Sequence, residues 1–374
     1  MLRRQLVLAP LAGWVAGCTP GGAFNASDWS RRALRRAASR EGALMIYANT
    51  GDMEIGPALA AFRKSNPDLR VTFLRQNSAE LYARYLAESA AGQSTADLVW
   101  SSAMDLQIKL VNDGYAQTFV APDKASLPPW AIWKDQGYGV TAEPIVFVYD
   151  RRRLSESEVP RNHGQLRAFL ERDRPRGAVG TFDPTRSGVG FLYYSQDRLA
   201  SADTLALTRA IGATKPRLYE STATLLEGIA RGDTLLGYNV IGSYALEEQR
   251  KNPNLRVIFP NDYTLVMSRI AFVSAKARHP NAAKLFLDFM LSLEGQTLLA
   301  RSSFTPVRTD LGGAGVPGPA ASVARPIEVG PSLLANLDQM RREHLLAEWR
   351  SAIGPDYTDD YRRVRDNIVT GKRP

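Results

Sequence analysis

Leu44-Met45-Ile46-Tyr47-Ala48-Asn49-Thr50-Gly51 is the stretch whose reading decides the fold. Five apolar residues in a row read as a buried strand, and the polar Asn49-Thr50-Gly51 that follows reads as its turn. A helical pattern then runs to about Ser65, where Asn66-Pro67 breaks it. The same unit recurs twice. Residues 69–74 form a strand ending at Asn77-Ser78 and feeding a helix to Ala91, and residues 96–100 form a strand ending at Ser101-Ser102. The helix after that strand reaches Asp113 and stops at Gly114. Repeated strand–helix units call for a largely parallel sheet with helices on its faces, because a parallel return needs a crossover.

Residues 144–149 are an apolar strand that leaves this unit, and a second set follows. Residues 178–182 lead through Asp183–Gly190 into a helix, and residues 235–237 lead through Tyr238–Tyr244 into another. Residues 264–274 are again extended, residues 281–299 form an amphipathic helix, residues 312–321 a Gly/Pro/Ala-rich loop, and residues 332–352 a last helix. The fold class expected is α/β with two lobes, built on mixed, mostly parallel sheets. Residues 41–140 plus 275–360 make the first lobe and residues 141–273 the second. The extended segments at 144–149 and 264–274 would cross between them as a two-segment hinge around a closing cleft.

Composition narrows the classes. The chain has 374 residues, 44% hydrophobic and 23% charged, which suits a folded protein of more than one domain. One Cys excludes an intramolecular disulfide framework and any Cys-rich metal centre, and three scattered His offer little to a histidine metal site. The net charge of +9 carries no long Lys/Arg run, so no nucleic-acid partner is expected. Residues 1–17 read as an export signal, with Arg3 and Arg4 before an apolar run from Leu6 to Ala16. The run meets Val15-Ala16-Gly17-Cys18, which resembles the lipobox of bacterial lipoproteins and marks Cys18 for lipidation. The expected location is periplasmic, with membrane attachment by the lipid alone. Residues 18–40 would be the tether and a first helix from Asp28 to Arg40, whose Arg31, Arg32, Arg35 and Arg36 form a basic face, read as solvated, with attraction to anionic lipid near the anchor as the alternative.

In open α/β sheets a ligand lies beyond the carboxyl ends of the strands. On the first lobe those positions are Asn49, Thr50, Asn77, Ser78, Ser101 and Ser102. On the second they are Thr185, Arg186, Ser187, Gly188, Tyr238, Asn239 and Ser243. Most sit where a helix begins, and the unpaired N–H groups there favour anions. Asp183–Gly190 is the strongest candidate, because Arg186 can grip a phosphate or carboxylate in bidentate fashion. The bland alternative is that these Ser and Asn residues only cap helices. Tyr193-Tyr194, further along, reads as packing.

From about Glu41 to Arg308 the chain resembles the class II solute-binding proteins of ABC importers, in the subgroup that binds iron or organophosphates. The resemblance is carried by Arg40–Tyr47, Trp100–Gln107, Asp183–Gly188 and His279–Lys284, with Phe286-Leu287-Asp288-Phe289 and Ser292–Gln296 after them. It implies a monomer that captures a small solute and delivers it to a permease driven by an ATPase, with no cofactor. Iron-binding members use two adjacent tyrosines, and the matching pair here is Val240-Ile241, while no His stands near Thr50 or Gly51. A small anionic organic solute, phosphorylated in the leading reading, is therefore expected, with ferric iron as the alternative and polyamines disfavoured. An enzyme finds little support. There is no Walker A, H-E-x-x-H or G-x-S-x-G motif, and Gly313–Gly318 matches G-x-G-x-x-G without a preceding strand. His163, His279 and His344 read as surface residues.

Overall fold

The computed structural model of the chain describes residues 26–172 and 175–354. The expected signal segment 1–17, Cys18 and the tail after Gly354 lie outside the described residues.

The first lobe opens with helix α1 (Ala26–Glu41), which ends where Gly42 takes φ 69°, a left-handed conformation that glycine adopts at little cost. Then come β1 (Ala43–Ala48), α2 (Asp52–Ser65), β2 (Arg70–Arg75), α3 (Ser78–Ala90), β3 (Leu98–Ser101), α4 (Met104–Asn112), β4 (Ile132–Trp133) and β5 (Gly137–Gly139). The second lobe holds β6 (Glu143–Asp150), α5 (His163–Leu170), β7 (Val179–Phe182), α6 (Gly188–Ala200), α7 (Thr204–Ala213), β8 (Arg217–Tyr219), α8 (Thr222–Arg231), β9 (Leu236–Ile241), α9 (Gly242–Lys251), β10 (Leu255–Ile258) and β11 (Thr264–Met267). The chain then returns through β12 (Ile270–Val273), α10 (Pro280–Leu291) and α11 (Leu293–Arg301), and finishes with β13 (Ala324–Pro326) and α12 (Gln339–Ile353).

Two sheets result. The first has the order β2-β1-β3-β12-β5-β4, and the second β13-β11-β6-β9-β7-β8 with β10 also on β6. Each is parallel where strand–helix units build it, as in β2-β1-β3 and β9-β7-β8. Each is antiparallel where the crossing strands join it. The core of the first sheet gathers Leu44, Ile46, Phe62, Trp100 and Phe286, and that of the second Phe147, Leu166, Val179 and Leu236, all buried.

The crossover is tighter than the sequence suggests. β5 lies antiparallel to β12 in one sheet, and β6 lies antiparallel to β11 in the other. The chain therefore changes lobe within residues 140–142 and again at Ser268-Arg269. The extended run expected over 264–274 is thus two strands in two sheets.

The lobe boundaries need one correction. Residues 275–360 do not all belong to the first lobe as expected, because β13 pairs with β11 of the second sheet. α12 packs on α7, with Trp349 and Ile353 buried in the same cluster as Tyr194, Leu207 and Tyr238. Gly212 of α7 makes this possible, since a Cβ there would come within 2.6 Å of the Ala352 carbonyl oxygen. The Gly/Pro-rich loop thus carries the chain across a third time. α1 also has a place: it lies along α10, tied by the Glu41 carboxylate to the α10 amino end and by Arg31, which does not share the solvated face expected of it but bonds Asp288 (2.8 Å).

Candidate functional site

β1 and β3 run side by side with Ala48 opposite Trp100, so the residues that follow them meet at one sheet edge. The Asn49 side-chain amide donates to Ser78 Oγ (2.7 Å) and Ser102 Oγ (2.6 Å), and its carbonyl accepts from the Ser102 N–H (3.1 Å). Ser101 Oγ donates to Ser78 Oγ and accepts from the Ala103 N–H. Four residues expected at strand ends are thereby one hydrogen-bonded cluster. Asn77 stands apart: it is exposed, and its side chain caps α3 by accepting from the Glu80 N–H.

Thr50 is fully buried beside this cluster, and its hydroxyl accepts from Arg269 Nη1 (3.3 Å). Arg269 sits on the second crossing and is 1% exposed. Its Nε donates to the carboxylate of Glu143 (2.8 Å), which sits at the first crossing and is 0% exposed. Glu143 also accepts from Thr141 and from Ser243, and the rings of Tyr244 and Phe304 lie 5.3 and 5.2 Å from the guanidinium carbon. Burial alone would weaken the Arg269 charge. The field and hydrogen bond of Glu143 outweigh that and hold the Arg269 proton more firmly than usual. The Tyr193 hydroxyl is buried and unpartnered among the described residues, and burial, reinforced by the Glu143 charge, pushes its pKa well above the ordinary phenol value. An Arg–Glu pair, hydroxyls and aromatic faces thus converge where the lobes join. Met104 of α4 completes the junction, packing in one cluster with Phe182, Leu192 and Ile241 of the second lobe.

The sequence reading missed Arg269 as a site residue. The signal was there: Ser268-Arg269 interrupts an otherwise apolar crossing run. A charge in such a stretch needs a buried partner.

The second-lobe candidates divide. Asp183 folds a tight turn, its carboxylate accepting from the Thr185 N–H and hydroxyl. Ser187 caps α6 through the Gly190 N–H, and Gly188 is the first, exposed residue of that helix. Arg186 is not buried. Its side chain is 44% exposed and ion-paired with Glu220 on the surface.

Tyr238 and Asn239 are not at a strand end, because β9 continues to Ile241. They occupy a bulge, where the pairing of β9 with β6 shifts register opposite Val146–Val148 and Asn239 takes φ 61°. The bulge turns both side chains inward onto Asp197, which accepts from Tyr238 Oη and Asn239 Nδ2 (2.7 Å each) and from Tyr263 Oη (2.9 Å). Burial raises the Asp197 pKa, against the opposing effect of His163 and these three donors.

Two histidines also depart from expectation. His163 is buried, stacked on Tyr263 at 4.0 Å and paired with Asp262, while His279 is half-buried against Asp97 (2.9 Å). Both orient neighbouring backbone as well, since Asp262 and Asp97 accept from the N–H groups of His163 and His279. Tyr194 is buried with its hydroxyl on Glu348 of α12.

Known proteins resemble this architecture. The chain matches the model of the bacterial extracellular solute-binding protein family over residues 58–316, more than half its length. A substrate-binding protein of an ABC transporter from Agrobacterium tumefaciens is 35% identical, with a TM-score of 0.76 over 83% of this chain and 94% of that one. Iron-bound HitA from Pseudomonas aeruginosa shares the fold at 20% identity, with a TM-score of 0.67 over 83% of this chain and 99% of that one. AfuA from Actinobacillus pleuropneumoniae, with fructose-6-phosphate bound, shares it at 19% identity, with a TM-score of 0.65 over 83% and 98%. The two-lobed fold, the crossing between its lobes and this kinship together place the chain in the bacterial extracellular solute-binding family, as a periplasmic solute-binding protein of an ABC importer.

Proposed function

We propose that the protein captures a small anionic organic solute, phosphorylated in the leading case, between its lobes, and that Arg269 is the charged anchor. One observation carries this reading: a guanidinium buried at the lobe junction, bonded to Glu143 at one crossing and to Thr50 of the first lobe. Nε and Nη2 face Glu143, while Nη1 faces the hydroxyl-rich edge. An oxyanion entering there would accept from Nη1 and from the Thr50, Ser101 and Ser102 hydroxyls. Thr185, Ser187 and Arg186 would act from the rim, Arg186 after leaving Glu220.

The same cluster argues against cationic solutes. The Glu143 carboxylate and the Tyr244 and Phe304 faces, which would receive a polyamine, already surround the protein's own guanidinium. A ferric ion would meet that fixed positive charge, and Val240 and Ile241 are buried in apolar clusters with no side-chain oxygen to offer. Binding is the whole activity in this reading, with release to a permease and its ATPase. Lipidation at Cys18 would hold the protein, as a monomer, on the outer face of a membrane.

A thermal-shift screen tests the reading, because a tight ligand stabilises the folded chain by mass action. Sugar phosphates, phosphoglycerates and phosphonates should raise the melting temperature, while spermidine and ferric citrate should not. A shift with ferric citrate accompanied by a visible charge-transfer band would replace the anion reading with iron. Turnover of any hit would show an enzyme.

A further inference from the structure

Helix α1 has two unlike faces. One is fixed to the first lobe: Ala38 is fully buried, Leu34 packs against the core, and Arg31 bonds Asp288 and Asp123. At the helix end the Glu41 carboxylate accepts from the Asn281 and Ala282 N–H groups. The other face carries Arg32, Arg35, Arg36 and Arg40, all exposed. Their i, i+3, i+4 and i+8 spacing puts them on one side of the helix.

No described carboxylate pairs with any of the four. Among the described residues, Asp288 and Asp123 bond Arg31, Glu41 bonds α10, and Asp68 accepts from Ser39. Like charges at this spacing repel one another along a helix. The structure therefore holds four guanidinium groups together on a rigid scaffold, and no carboxylate among the described residues supplies their counter-charge.

Position says from where. The helix begins eight residues after Cys18. A chain of that length reaches at most on the order of 25–30 Å. With the lipid on Cys18, as proposed above, the basic face stays within reach of the headgroups of the bilayer that holds the chain. One acyl signal combined with one basic patch is a known route to stable membrane attachment.

We propose that the Arg32–Arg40 face of α1 docks on anionic phospholipid headgroups, so that the protein rests with the α1 flank of its first lobe against the membrane. The lipid then sets where the protein is, and the arginine face sets which way round it sits. Guanidinium groups suit this contact, since each can donate two parallel hydrogen bonds to one phosphate.

Vesicle flotation of the mature chain carrying Cys18→Ser tests the docking without the anchor. The chain should float with phosphatidylglycerol-containing vesicles and stay behind with phosphatidylcholine alone. Raising the salt from about 0.05 M to about 0.5 M should release it. Arg32→Ala, Arg35→Ala and Arg36→Ala together should lower the vesicle-bound fraction by at least about tenfold while leaving the melting temperature and solute binding unchanged. If that variant folds poorly, single Arg36→Gln with the salt titration of the unchanged chain gives the same reading. Equal binding to both vesicle types, indifference to salt or to the substitutions, or binding to DNA without binding to anionic vesicles would overturn the proposal. None of these outcomes bears on the cleft.

Discussion

Glu143 and Asp197 are both buried carboxylates of the second lobe, and they live in different ways. Glu143, at the first crossing, faces a guanidinium; Asp197, inside α6, faces two phenols and an amide. Both are almost fully buried, at 0% and 1% exposure. Glu143 belongs to a cluster drawn from both lobes, and its partner Arg269 reaches Thr50 of the first. Asp197 binds only its own lobe, where it holds the β9 bulge and the Tyr263 end of β11 against α6. A buried charge with a counter-charge at a junction is material for recognition. A buried acid ringed by neutral donors is material for shape.

The largest effect expected is at Glu143. Glu143→Ala leaves Arg269 charged and unpaired in a site that excludes water, at a cost of about 3–5 kcal/mol by chemical denaturation. Replacing both members, Glu143→Met with Arg269→Leu, removes the charges together and should recover most of that stability. The paired variant should nevertheless fail to bind the solute by calorimetry. Full binding by the paired variant would make the ion pair purely structural and erase the contrast with Asp197.

Asp197→Ala comes next, at about 1–3 kcal/mol, because it leaves the buried Asn239 amide and the buried Tyr238 and Tyr263 hydroxyls without their shared acceptor. Solute affinity should hold. The pH dependence sharpens the same point. Asp197 has a folded-state pKa raised from 3.8, so the folded chain binds its proton more tightly than the unfolded chain does. Its contribution to stability is therefore greatest below that value, declines as pH rises from about 3.8 through the folded pKa, and is constant beyond. Asp197→Asn should remove this decline from the difference between the two stability–pH curves. Parallel curves would mean that burial does not raise the Asp197 pKa.

The contrast also explains what was legible in the sequence. Strand–helix periodicity located β1, β2, β3 and the helices after them, because each unit is a local pattern of apolar run, polar turn and amphipathic stretch. It also placed Asn49, Ser78, Ser101 and Ser102 together, since parallel neighbours end at one edge. Tyr238 and Asn239 were misplaced because an apolar run cannot announce a bulge: β9 continues through them, and only pairing with β6 reveals the extra residue. Arg186 looked like the anchor because helix starts attract anions, but Glu220 comes from another strand end and no local rule brings it in. The second-lobe places of β13 and α12 are not legible, because a loop rich in glycine and proline says nothing about which side its continuation will cover.

Smaller effects test the first-lobe side of the junction. Thr50→Val keeps the shape and removes the hydroxyl that accepts from Arg269. About 0.5–1.5 kcal/mol of solute affinity should go with it. Ser102→Ala should lose a comparable amount, and because Asn49 bonds both Ser102 and Ser78, the two losses should fall short of additivity when Ser78→Ala is added. Isothermal titration of the single and double variants measures this directly.

The smallest effect on stability belongs to Arg186. Its ion pair with Glu220 is exposed on both sides, with side chains 44% and 50% accessible, and such pairs are worth about 0–1 kcal/mol. Arg186→Ala should therefore barely move the unfolding midpoint. Its effect on solute affinity decides between two anchors. A loss well under about 1.5 kcal/mol would leave Arg269 as the charged group that holds the solute, with Arg186 at the rim. A loss of about 1.5–3 kcal/mol, as for a hydrogen bond to a charged group, would show that Arg186 leaves Glu220 and closes on the ligand. In that case the junction cluster would join Asp197 as a structural feature, and the recognition site would lie at the start of α6.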